Sequence, residues 1–233
     1  MAEFKYYVDI VKDEIKLAFK NNKKLLLLST LIFIIPMLIG YYYADNISSY
    51  IQPMVDSFEQ RVEDGTVTLS TSSLFVNNVE VAIILYALAA LGGLLGAVVL
   101  GNNGLFIGYY GTFLDLKTYL ALTLPHGIFE IPAIIIATTG GFVLLSFILH
   151  FIYNVIYPDY SYTDIFDPYF SDVKLTTKER LSAAFDKHQS KIKESFIFLC
   201  LSAVMLIIAA FIEANLTIPL ANWIFSLFGM SLI

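Results

Sequence analysis

The sequence predicts an all-α fold, a polytopic membrane helix bundle of about five transmembrane helices with additional amphipathic interfacial helices. Three observations carry this. Of 233 residues, 58% are hydrophobic and only 15% charged, and the mean hydropathy is +0.72, far above that of a globular domain. Apolar runs recur near the length of about 20 residues that a hydrocarbon core requires. Acidic and basic residues are sorted into different connecting segments, so the formal net charge of -6 says less than its distribution. Nothing in that distribution suggests nucleic acid as a partner; the expected environment is the lipid bilayer. The single Cys200 lies in an apolar run, which excludes an intrachain disulfide and multi-cysteine zinc patterns.

Residues 1–24 are expected to form a basic amphipathic helix at the cytoplasmic membrane surface. Phe4, Val8, Val11, Ile15 and Phe19 recur at helical spacing, while Lys5, Lys12, Lys16 and Lys20 take the other faces and Lys23 and Lys24 close the segment. Residues 25–43 follow as a first span, with Pro36 inside it and Tyr41 to Tyr43 as an interfacial anchor. No small-residue cleavage site follows it, so it is expected to act as an uncleaved signal anchor. The loop 44–78 carries Asp45, Asp56, Glu59, Glu63 and Asp64 against the lone Arg61. By the positive-inside rule the N-terminus is cytoplasmic and this loop lies outside. Its stripe of Ile47, Ile51, Met54, Val55, Phe58 and Val62 predicts an amphipathic helix along the outer surface.

Residues 79–100 are the second expected span, entering the cytoplasm at Asn102 and Asn103. Gly92, Gly93 and Gly96 lie on it, and Gly92 with Gly96 has the spacing that lets another backbone approach; Gly104 and Gly108 repeat it. These faces serve either packing inside the bundle or a homodimer. Residues 104–124 are too interrupted for a simple span, with Asn103 at the start and Asp115 in the middle. A broken span and a re-entrant hairpin both fit; the hairpin would place the later basic loop outside, so the charge rule favours the broken span. Residues 127–157 are the longest apolar run, with kinks expected at Pro132 or at Gly140 and Gly141, and Tyr153 and Tyr157 at the inner interface. A second cytoplasmic helix, 174–194, begins with a capping box at Thr176 and Glu179. It leads into a fifth span, 196–213, and an apolar C-terminal segment, 216–233, expected in the outer interface. The basic helix and outward span of residues 4–43 are echoed in layout by 177–215.

Polar groups inside lipid are expensive and need a partner or a use. His126 and Glu130 stand four apart, hence on one helix face. With Glu213, Asn77 and Asn78 they fall near the outer ends of three spans, a candidate polar cluster in the outer leaflet. His126, Glu130 and Glu213 are also the candidate metal ligands. His126 and His150 are about 36 Å apart along a continuous helix and cannot share an ion.

Leu74, Phe75, Asn77 and Asn78, then Gly92, Gly93 and Gly96, Asn103, Gly104 and Gly108, Leu124-Pro125-His126-Gly127 with Glu130, Pro132 and Ala133, and Ile212-Glu213-Ala214 with Thr217 and Pro219 resemble the ordered motifs of the stage II sporulation protein M family of bacteria and archaea. In spore formers the resemblance implies a membrane component acting with two peptidoglycan-degrading partners during engulfment. The preferred expectation is a non-enzymatic, multi-pass cell-membrane scaffold that positions protein partners in envelope remodelling, with no resident cofactor. A transporter component with buried carboxyls and an intramembrane metal-dependent hydrolase using His126, Glu130 and Glu213 are the alternatives.

Overall fold

The computed structural model describes residues 2–157 and 176–227. The expected start of the second basic helix at Lys174, the side chain of Phe4 and residues 228–233 lie outside the residues described. The rest is all-α with no strand: α1 Ala2–Tyr42, α2 Ala44–Glu63, α3 Thr71–Gly92, α4 Leu94–Tyr110, a single 3-10 turn Gly111–Phe113, α5 Leu116–Ile156, α6 Thr177–Asn215 and α7 Thr217–Leu227. Four of these, α1, α3, α5 and α6, are long and apolar enough to cross a membrane. Their surfaces match that medium, since Leu27, Leu31, Ile35, Ile83, Val204, Ile207 and Phe211 are exposed.

Helix directions follow from close backbone contacts. A Cβ on Gly104 would collide with the carbonyl of Phe33, one on Gly108 with that of Met37, and one on Gly40 of α1 with that of Leu105. Helix α4 therefore runs beside α1 in the same direction. A Cβ on Gly141 of α5 would meet the carbonyl of Tyr86 on α3, while one on Gly140 next to it would meet the carbonyl of Ser195 on α6 at 3.0 Å. The glycines expected to kink the long apolar run instead let it pass tightly between two neighbours. Phe33, Leu85, Leu100, Ile134 and Ile135 form one buried cluster, which fixes a common level on α1, α3, α4 and α5.

Two departures from the expected boundaries share one cause. Helix α3, which holds the start of the second expected span, ends at Gly92 and the chain reverses at Gly93, whose φ of 38° falls in the region that favours glycine. Asn102 and Asn103 consequently do not follow the end of this helix. Both lie inside α4, where Asn103 donates to the carbonyl of Val99 at 2.9 Å and Asn102 accepts from the Tyr50 hydroxyl at 3.1 Å. The interruption expected within 104–124 becomes the 3-10 turn. Asp115 caps α5, accepting from the backbone of Lys117 and Thr118. Bonds from Thr118 hold the Asp115 carboxyl below its usual range.

The ends of the bundle are built differently. At the basal end α1 breaks at Asn22 (φ -112°, ψ 18°). There Asn21 and Asn22 each donate a side-chain amide to Glu194 of α6, at 2.6 and 2.7 Å, and Lys193 pairs with Glu14 at 2.6 Å. Ser195 donates to the carbonyl of Gly140 at 2.7 Å, which leaves its oxygen to accept from the Tyr86 hydroxyl at 2.7 Å. At the apical end α2 lies against α4, with Ile51 and Val55 buried beside Tyr109 and Phe58 edge-on to Phe106 and Tyr110. Helix α7 packs Ala221 and Phe225 on Ala121 of α5.

Because Gly108 faces main chain rather than a flexible side chain, Gly108→Leu is expected to destabilise the protein by about 1–3 kcal/mol or prevent folding. Gly127→Ala, whose new methyl would meet only side-chain atoms at 3.6 and 3.8 Å, is the tolerated control. Unfolding in detergent compares the two.

Candidate functional site

The candidate site forms where α5, α6 and α7 meet at the apical end. On α5, His126 and Glu130 stack one turn apart, with Nε2 and Oε2 at 3.9 Å. Pro125 and Pro132 lie within the same helix. Each removes a backbone donor and so frees the carbonyl four residues earlier, those of Ala121 and Ile128. Helix α6 arrives antiparallel and brings Glu213 to the pair. One ligand atom from each of His126, Glu130 and Glu213 lies within 4.8 Å of the others, and all three residues are half-buried.

Thr217, the first residue of α7, orients the imidazole. Its hydroxyl donates to the carbonyl of Ile212 at 3.2 Å, so its oxygen is left to accept from Nδ1 of His126, 3.4 Å away. That arrangement places the proton on Nδ1 and turns the Nε2 lone pair toward Glu130. Two electron-rich atoms then face each other, with a second carboxyl beside them. The site therefore requires positive charge in the form of a proton or a cation. A proton on one carboxyl suffices and lets the group link α5, α6 and α7.

Donor chemistry of one nitrogen and two oxygens suits zinc, but zinc bonded at about 2 Å holds tetrahedral ligands about 3.3 Å apart. The His126–Glu130 pair, at 3.9 Å, is wider, so at least these side chains would have to close inward. The hydroxyl in contact with His126 is that of Thr217; no serine or cysteine is hydrogen-bonded to His126 among the described residues.

Of the residues expected in this cluster, Asn77 and Asn78 form a separate contact. Arg61 of α2 donates to Asn77 at 2.8 Å, and Asn77 donates to Asn78 at 3.1 Å. Gly104 and Gly108 have their close approach to α1 in the same chain. Gly96 packs on Ala89 across the reversal at Gly93.

Sequence reasoning placed Glu194 in no site, although it is buried at 8% exposure. The signal was present in Asn21-Asn22 and the Lys193-Glu194-Ser195 run, but such groups at the end of a span read as solvated. His150 and His188 also come together, rings 5.2 Å apart, with Asn154 donating to His188 at 2.6 Å. They supply only two ligands and join no group of three among the described residues.

The sequence profile of the family described as stage II sporulation protein M matches residues 29–218. Two relatives are uncharacterized proteins of Methanocaldococcus jannaschii. One is 28% identical over 215 residues, covering 88% of this chain and 87% of the relative. The other is 24% identical over 204 residues, covering 85% and 97%. No solved structure matches the chain.

With a proton supplying the charge, the detergent-purified protein is expected to carry no stoichiometric transition metal by mass spectrometry. Stoichiometric metal in the wild type that is lost in both His126→Ala and Glu130→Gln would put a cation in its place.

Proposed function

Because the chain belongs to the stage II sporulation protein M family, we propose that it is a non-enzymatic membrane scaffold that holds protein partners in place during remodelling of the cell envelope. The observation that carries this reading is the use to which the polar side chains are put. At the basal end Asn21, Asn22 and Glu194 tie α1 to α6. Midway, Tyr86, Ser195 and Gly140 join α3, α6 and α5. At the apical end His126 and Thr217 join α5 to α7. Each set fastens helices to one another, as a rigid platform requires.

Transport is less well supported. The Asn and Asp residues of the interrupted third segment are engaged in the helix bond from Asn103 and the cap at Asp115. The groove lined by residues between 75 and 84, and that lined by residues between 117 and 128 with Leu220 and Ile224, both open on the outside of the bundle. An intramembrane hydrolase would need an ion held by His126, Glu130 and Glu213, whose ligand atoms lie within 4.8 Å of one another but would have to close inward to bind zinc at about 2 Å.

The lysines of α1, at positions 5, 12, 16, 20, 23 and 24, support an orientation with the basal end in the cytoplasm and α2 and α7 outside. In this orientation α4, which runs parallel to α1, makes the fifth crossing. Its 17 residues span about 25 Å. Helix α2 then offers its exposed side to envelope partners, with Met54 and Val62 uncovered.

A photoreactive residue at Val62, in the full chain in membranes of its own host, is expected to capture a protein of the envelope-remodelling machinery. Failure to capture protein, together with solute flux through reconstituted vesicles that is abolished by Glu130→Gln, would favour transport instead.

A further inference from the structure

Glu80 lies on α3 with its side chain exposed and has no hydrogen-bond or ion-pair partner among the described residues. It belongs to the face opposite the packed one. Asn78, Ala82, Leu85 and Ala89 are buried in the bundle, whereas Val76, Ile83 and Ile84 are exposed together with Glu80, at the i, i+3 and i+4 positions that share a helix face.

Depth makes this placement unusual. Leu85, five residues further along, belongs to the cluster that aligns α1, α3, α4 and α5 at one level. Glu80 is therefore about 7.5 Å from that level along the helix. The nonpolar half-thickness of a bilayer is about 15 Å. With that level taken as the middle of the crossing, Glu80, ten residues after the Ser70 cap and thirteen before Gly93, faces hydrocarbon rather than protein, and such a group is a functional-site candidate. Around it Phe75, Val76, Val79, Ile83 and Ile84 line a groove of about 410 Å³, large enough to seat side chains of a second helix.

From this juxtaposition we infer that the Glu80 face of α3 docks a transmembrane helix of a different protein, one that sets apolar side chains in the groove and a Lys, Arg, Asn or Gln donor against Glu80. Charge decides between partners. A second copy related by two-fold symmetry would set Glu80 against Glu80, a contact that forms only once a proton is taken up, whereas a donor on a foreign helix meets the ionised carboxyl directly with a hydrogen bond of the kind that joins membrane helices. The inference rests on the scaffold reading and specifies where a membrane-embedded partner binds.

The test places a photoreactive residue at Ile83 in the full chain, in membranes of its own host, and identifies the crosslinked peptide. The expected adduct is to a membrane segment that carries Lys, Arg, Asn or Gln. Its yield is expected to fall roughly tenfold with Glu80→Leu, the effect of losing about 1.4 kcal/mol, and to survive Glu80→Gln. Replacing the partner's donor by Leu should give the same loss. Labelling of lipid alone, a self-adduct, or an adduct indifferent to Glu80→Leu would overturn the inference. Glu80→Leu removes a lipid-facing carboxyl, so its unfolding midpoint should be no lower than that of the wild type; a lower one would show that Glu80 holds the bundle and would also overturn it. Capture from Val62 but not from Ile83 defeats this inference and leaves the scaffold reading intact, while capture from neither position defeats both.

Discussion

Lipid offers no hydrogen bonds, and the architecture depends on that constraint. A polar group carried into the bundle is costly unless it finds a partner, and with few exceptions, of which the Ser202 hydroxyl is one, those buried in it meet that requirement. The hydroxyls of Ser29, Thr30, Thr138 and Thr139 meet it locally by donating to the carbonyl four residues earlier. Larger groups meet it between helices, and these contacts fix which helices are neighbours. Glu194 receives two amides from α1, and Ser195 relays from Tyr86 to Gly140. The His126 cluster answers the same requirement at the other end. Apolar packing fills the space between these fixed points without specifying it, because a lipid tail is as apolar as a leucine.

Glycine supplies the complementary constraint. Gly40, Gly104 and Gly108 let α1 and α4 approach backbone to backbone, and Gly140 and Gly141 do the same for α5 between α3 and α6. Small residues allow close approach; polar bonds then hold it. The two basic helices, similar in layout in the sequence, are joined directly by Lys193 to Glu14, so the basal end is fastened across the bundle.

Much of this was legible in the residues. Fold class followed from the apolar runs, the cap at Thr176 from its spacing to Glu179, and the pairing of His126 with Glu130 from their separation of four. Glu213 could be added because topology brings the ends of two spans to one side. What stayed hidden was set by contacts distant in the chain. The reversal at Gly93 lies in an unbroken leucine-rich run, where hydropathy gives no signal, and Asn102 with Asn103 drew attention to the wrong place. Gly104 and Gly108 announced a close approach but not its partner, which is α1. Asn77 and Asn78 sat at the right height yet turn to Arg61, and Thr217 could be recognised as the orienting residue only once α7 was seen to fold back on α5.

The result is a bundle whose polar residues act as fasteners and whose free surfaces remain for other molecules. The central claim is that Glu130 and Glu213 share one site, and a double-mutant cycle in lipid bicelles tests it most directly by comparing the unfolding free energies of Glu130→Gln, Glu213→Gln and the pair. The account predicts a coupling of about 0.5–3 kcal/mol between them. Additivity within about 0.5 kcal/mol would contradict it, because two carboxyls that share a proton cannot be replaced independently.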